Sequence, residues 1–219
     1  MSLHMRYLLA ALMLAPAPAL AHPHVFVDTG VEVIFDEAGR VTHLRITWEY
    51  DELYSLWITE DMKLDPDFDG ELTDAEMAAL QGFDQDWMQG YYGDTRAYLG
   101  GTELALSRPV AYTADYKDGR LSSTHLREVE GSPFVNDALV IKPYDETFYT
   151  AYDVTKPVRL TGAPAGCGFD VVVPDVTGAL TQIQEQLLAL DPSVDPADVG
   201  FDNIGAQFAT QIEVTCAGS

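Results

Sequence analysis

Apolar and polar positions alternate through much of this chain, and where the period changes the expected element changes with it. The run V-F-V-D-T-G-V-E-V-I-F alternates, turns at D-E-A-G-R, and alternates again in V-T-H-L-R-I-T-W-E-Y, which predicts a long antiparallel hairpin. Leu53, Leu56 and Trp57 then recur at helical spacing, so a short helix is expected from Leu53 to Met62. A second helix is expected over A-E-M-A-A-L-Q-G-F, opened by a capping box of Thr73 and Glu76, and D-Q-D-W-M-Q-G-Y-Y continues its helical character. Strands return from Thr102 as E-L-A-L-S, V-A-Y-T-A-D-Y and L-S-S-T-H-L-R-E-V-E, the last two joined through the hairpin turn Asp118-Gly119. Further strands are expected at A-L-V-I-K, T-F-Y-T-A-Y-D-V, V-R-L-T, F-D-V-V-V and Q-I-E-V-T-C. Val176 to Leu190 reads as one amphipathic helix with Leu180, Ile183, Leu187 and Leu190 on one stripe. The expected class is α+β: an antiparallel, β-rich domain with an inserted helix-loop-helix at about 51–92 and a C-terminal amphipathic helix.

The insertion carries the sharpest chemistry. Residues 65–76, D-P-D-F-D-G-E-L-T-D-A-E, match D-x-[DN]-x-[DN]-G-x5-E, the twelve-residue calcium loop of an EF-hand. Carboxylates of Asp65, Asp67 and Asp69 at alternating positions converge on one hard cation, and Gly70 takes the sharp turn that lets the chain wrap it. Glu71 would give its backbone carbonyl, Thr73 would reach the ion through its hydroxyl or a water, and Glu76 would close the shell with both carboxylate oxygens. Leu72 points inward. The plain alternative is a solvated acidic turn before a helix. A single loop favours structural bracing over regulatory switching, because such loops normally work in pairs.

Composition narrows the partners. The formal charge of −23 repels nucleic acid and anionic membranes and suits cations. With 47% hydrophobic and 11% aromatic residues the chain buries a core, so a globular reading prevails over disorder. Arg6, the apolar run Tyr7 to Leu14 and A-P-A-P-A-L-A read as a signal peptide over residues 1–21, with cleavage expected before His22. That run is too short to span a bilayer, and no later segment is apolar enough to do so. Residues 22–219 are then one exported domain, periplasmic in a Gram-negative source. Two cysteines, Cys167 and Cys216, would meet an oxidising compartment, where a disulfide is the simplest outcome.

Cleavage before His22 would put a free α-amine and an imidazole on one residue, with His24 two positions on. Pro23 has no amide hydrogen to lose, so a square-planar site built on deprotonated amides cannot form there. The expected ligands are the imidazoles and the amine, which favour zinc, copper, nickel or cobalt. His43 and His125 are the other histidines of the exported chain and the candidates to complete the set. His43 also reads as a plain surface residue, and His125 lies between Thr124 and Leu126 in a strand.

The A-H-P-H-V-F at Ala21 to Phe26, the D-x-D-x-D-G loop at Asp65 to Gly70, and Y-D-E-T-F-Y-T-A-Y at Tyr144 to Tyr152 together resemble the DUF1007 family. The resemblance covers most of the exported chain. It implies exported proteins described as periplasmic components of uncharacterised ABC-type transport systems, often accompanying nickel/cobalt-type efflux permeases. The partner it implies is an inner-membrane metal transporter. His22 and His24 carry over onto the H-P-H motif. The favoured function is a periplasmic metal-binding protein with a structural calcium site. Two alternatives are a copper-dependent oxidative enzyme using the N-terminal histidine, which needs a third nitrogen from His43 or His125 and an aromatic platform such as Trp87, Tyr91 and Tyr92, and a calcium-braced interaction module. No hydrolase triad or phosphate loop is present.

Overall fold

The computed structural model describes residues 23–189, 191 and 203–217. The expected hairpin is its spine: β1 (Val25–Phe35) pairs antiparallel with β2 (Val41–Tyr50), placing Val31 opposite Ile46 and Thr29 opposite Trp48. Side-chain alternation sends Val27, Val31 and Val33 of β1 and Leu44, Ile46 and Trp48 of β2 into the core. The Asp36 carboxylate holds the connecting turn by accepting hydrogen bonds from the backbone N–H groups of Ala38 and Arg40.

Two short helices follow, α1 (Glu52–Asp61) and α2 (Asp74–Leu80), and then β3 (Thr95–Leu99) and β4 (Thr102–Leu104). A second hairpin joins β5 (Val110–Lys117) to β6 (Arg120–Glu128). Its turn residues Asp118 and Gly119 both have positive φ, 52° and 78°, as a two-residue turn matched to strand twist requires. The chain continues through β7 (Leu139–Pro143), β8 (Thr150–Asp153), β9 (Val158–Thr161), β10 (Cys167–Val172), α3 (Val176–Ala189), α4 (Gly205–Phe208) and β11 (Gln211–Cys216).

The strands form two sheets. One runs β5-β6-β2-β1-β8, with β9 also pairing β1; the other runs β10-β11-β7-β3-β4. Parallel pairing of β8 and β9 along successive halves of β1 makes the first sheet mixed. Inward residues of both sheets, among them Val33, Ile46, Leu121, Ile141 and Ile212, share one apolar cluster. Cys167 and Cys216 lie opposite each other on β10 and β11 and form the expected disulfide. The α+β, β-rich class stands, and among the described residues no helix is long and apolar enough to cross a membrane.

Several expectations need correction. The second helix ends at Leu80, and residues 84–92, expected to be helical, are irregular, with Gly90 inside them and Gly82 and Gly93 on either side all at positive φ. Strand β3, at Thr95–Leu99, precedes the point where strands were expected to resume. The strand expected over T-F-Y-T-A-Y-D-V is confined to Thr150–Asp153, since the preceding residues form a turn organised by the Asp145 carboxylate, which accepts from the N–H groups of Thr147 and Thr150. Helix α1 does not bury its apolar stripe: it docks through Ser55 and Thr59, and Ser55 Oγ accepts the Leu121 N–H at 2.9 Å. Leu53 and Trp57 are left 74% and 60% exposed. In α3, Ile183 is buried while Leu180 is 39% exposed; Leu190 lies outside the described residues.

Candidate functional site

The acidic loop is a tight coil between α1 and α2. Lys63, Asp65, Phe68 and Gly70 have φ between 50° and 80°, and the coil is knitted by its own carboxylates. Asp65 accepts from the N–H groups of Asp69 and Gly70, and Asp69 accepts from Glu71 N–H. The result brings carboxylate oxygens of Asp65, Asp67 and Asp69 within 4.8 Å of one another, the one group of three or more metal-capable side chains that converges among the described residues. Leu72 packs against the core. Glu76 is turned to the helix start: its carboxylate accepts from Thr73 N–H at 2.8 Å, Thr73 Oγ1 at 2.6 Å and Asp65 N–H at 3.1 Å. The Thr73 hydroxyl, with these N–H groups, holds the Glu76 carboxyl below its usual range. Thr73 and Glu76 complete the expected capping box on α2.

Beyond α2 the chain folds back over the first sheet and roofs a cavity of about 560 Å³. Its floor is Trp48 and Tyr50 of β2 with Tyr152 of β8; α1 supplies Leu53, Tyr54 and Trp57 at one rim, and His24, Tyr149 and Thr150 form another. The 84–94 segment closes it with Asp84, Trp87, Tyr91 and Asp94. Asp84 accepts a hydrogen bond from Tyr50 Oη at 2.8 Å and another from Ser123 Oγ. Asp94 accepts from Tyr152 Oη at 2.6 Å. Burial raises the Asp94 pKa against the lowering effect of the Tyr152 and Tyr91 hydroxyls, and burial beside Asp84 and Asp94 pushes Tyr50 and Tyr152 well above the ordinary phenol value. Neither carboxylate pairs with a cation inside the cavity, whose lining contains no Lys or Arg.

The inward face of β6 is unusual for a core strand, carrying Ser123, His125 and Arg127 after Leu121. Arg127 satisfies its guanidinium on the carbonyls of Ser107, Thr95 and Leu106 and lies 5.1 Å from the Trp87 ring centroid. His125 sits edge-on to Trp48 and Trp87, fully buried, with neither ring nitrogen hydrogen-bonded. Burial first, and the Arg127 charge second, lower its pKa to about 3.

His24, His43 and His125, the described members of the predicted histidine set, are not brought together. His24 stands at the cavity rim with its ring 4.9 Å from that of Tyr149, and its backbone N–H donates to the Tyr149 carbonyl at 2.8 Å. His43 pairs with Ile34, ten residues along β1, or roughly 30 Å away at strand rise. His125 is inside the core because β6 alternation puts it on the same face as Leu121, with Leu126 on the other. His22 lies outside the described residues. The copper-enzyme alternative therefore gains no third nitrogen from His43, and His125 is enclosed by tryptophan rings. Of the aromatic platform, Trp87 and Tyr91 line the cavity, whereas Tyr92 points to a different surface recess beside Arg96.

Sequence reasoning missed the cavity itself. Its residues come from five separate segments, and the one linear signal is the density of aromatics in W-E-Y-D-E-L-Y-S-L-W, where Trp48, Tyr50, Tyr54 and Trp57 all prove to be lining residues. No curated protein matches the chain. The sequence model of a family described as "protein of unknown function (DUF1007)" matches residues 7–216.

Proposed function

The chain belongs to the DUF1007 family, and from that premise we propose that it is an exported, periplasmic metal-binding protein serving transition-metal transport, braced by a calcium ion in the 65–76 loop. The observation that carries the metal reading is the convergence of Asp65, Asp67 and Asp69. Three like charges this close are mutually repulsive, and a divalent cation relieves that repulsion. Calcium would be held by these carboxylates, the Glu71 carbonyl, Thr73 and Glu76. Its role is mechanical: the loop lies against the β5–β6 turn, near Asp115 and Asp118, and leads into the helix whose far end carries the cavity roof.

The transition-metal part rests on His24 and His22, with the free α-amine that cleavage before His22 would leave. His24 at the cavity rim supports an accessible nitrogen site, and imidazole with amine selects zinc, copper, nickel or cobalt over calcium. An inner-membrane permease is the partner that the family resemblance suggests. Metal analysis of the mature protein by mass spectrometry tests the two parts separately. Calcium lost in Asp65→Ala and a first-row ion lost in His24→Ala are the expected results; a wild-type protein that retains neither ion after equilibration with both overturns the reading.

A further inference from the structure

The aromatic cavity has a chemistry that neither metal site uses. All three tryptophans of the chain, Trp48, Trp57 and Trp87, line it, together with several tyrosines. A volume of about 560 Å³ is within the range of small-molecule sites. Indole and phenol faces carry negative quadrupole potential and attract cations, most strongly when water is excluded. Asp84 and Asp94 add formal negative charge at the back wall, and no Lys or Arg side chain lines the space to neutralise it. The guanidinium groups of Arg108 and Arg127 lie by the Trp87 ring, 5.9 and 5.1 Å from its centroid, so the cage for a guest is made by the other aromatics. Trp57, 60% exposed on a helix that could have turned a polar residue outward, gains a role as the rim of that cage.

We propose that this cavity binds a small organic cation, a quaternary ammonium or substituted-amine group, caged by Trp48, Tyr50, Tyr54 and Trp57 and balanced by Asp84 and Asp94. An aromatic cleft also suits the flat face of a sugar ring, but a sugar gains little from two half-buried carboxylates in a lining that holds no Lys or Arg. A cation removes their electrostatic cost. Burial raises the Asp94 pKa although the Tyr152 and Tyr91 hydroxyls and the Arg96 charge lower it, so a cation in the cavity would stabilise the ionised carboxylate further.

Because every tryptophan faces the cavity, intrinsic fluorescence reports occupancy. The test is a titration of the full exported chain, saturated with calcium and freed of transition metals, with choline, with its neutral isostere 3,3-dimethyl-1-butanol, and with cellobiose. Choline is expected to saturate and to bind at least about tenfold more tightly than the isostere. Trp57→Ala, an exposed change that leaves the core intact, should weaken choline by about fivefold or more, and Asp94→Asn should weaken choline without weakening the isostere, both with far-ultraviolet dichroism unchanged. Equal affinity for choline and isostere overturns the proposal. So does saturation by cellobiose without choline, or choline binding that Trp57→Ala leaves untouched. Loss of first-row metal binding in the metal analysis would leave this titration unaffected, so the two readings fail separately.

Discussion

Gln81 forms a two-way hydrogen-bonded pair with Ala114: its Nε2 donates to the Ala114 carbonyl at 2.8 Å, and the Ala114 N–H donates to Gln81 Oε1 at 2.8 Å. A side-chain amide here substitutes for a neighbouring strand, because β5 is the edge of its sheet and its outer backbone groups have no strand to meet. The pair ties the end of α2 to the sheet, one residue before the chain turns at Gly82 toward the cavity roof.

Gln81→Leu keeps the bulk and removes both hydrogen bonds, leaving two backbone groups of a buried alanine unpaired. The expected cost is about 1–3 kcal/mol in urea unfolding. Gln81→Ala should cost a similar amount. A loss below about 0.5 kcal/mol would mean that water replaces the amide without penalty.

Asp65 holds the loop together in two ways, by accepting the Asp69 and Gly70 N–H groups and by facing Asp67 and Asp69. If the loop binds calcium, saturation at about 100 times the dissociation constant adds about 2.7 kcal/mol to the wild type, or roughly 5–10 °C in Tm for a chain of this size. Asp65→Ala should abolish that increment, and its deficit in chelator should be much the smaller one. Scanning calorimetry in calcium and in chelator measures both; equal deficits in the two buffers would count against the ion.

His125 is neutral in the fold, with a pKa of about 3, while the unfolded chain protonates it near its ordinary value of 6.5. Below pH 6.5 the unfolded state therefore takes up a proton that the folded state refuses, and stability falls by about 1.4 kcal/mol per pH unit until pH approaches 3. Arg127 is the charged group facing it, and remains cationic throughout this window. His125→Leu removes the titration and the two unpaired nitrogens at similar volume. It should be within about 1.5 kcal/mol of wild type at pH 7.5 and more stable by about 2–3 kcal/mol at pH 4.5. Parallel acid limbs for the two proteins would show that the imidazole is not enclosed in solution.

The disulfide joins strands that are already paired, so its contribution comes through the unfolded chain. Closing a loop with a sequence separation of 49 gives about 4 kcal/mol on the chain-entropy account, with 2–4 kcal/mol the common range. The pair of changes Cys167→Ser and Cys216→Ser should lower urea stability by that amount and sensitise β10 to protease first, since β10 is the edge strand of its sheet. Unchanged stability under reductant would remove the bridge from the account.

Much of the frame was legible because it depends on local rules. Alternation in β1 and β2 predicted the hairpin, Asp118-Gly119 predicted a turn that only positive φ permits, and Thr73 with Glu76 predicted a reciprocal cap. Each of these is settled by residues within one element or one turn. The 84–92 segment departs from expectation for the opposite reason: its apolar residues suggest a helix, yet glycines at positive φ within and beside it break one, and Trp87 and Tyr91 are drawn to a cavity that no local pattern describes.

What the sequence alone determined is most of the strands and their hairpin turns, the acidic loop spacing, the family resemblance and the cysteine pair, all properties of order along the chain. Tertiary structure decided which face of β6 turns inward, burying His125 and Arg127 in place of Leu126, and it carried His43 far from His24. It also gathered Trp48, Trp57, Asp84, Asp94 and Tyr152 around one space. The physical reason is that a strand's period of two specifies two faces without saying which is covered; that choice is made by what packs against the strand, here Trp48, Trp87 and the carbonyls that receive the Arg127 guanidinium.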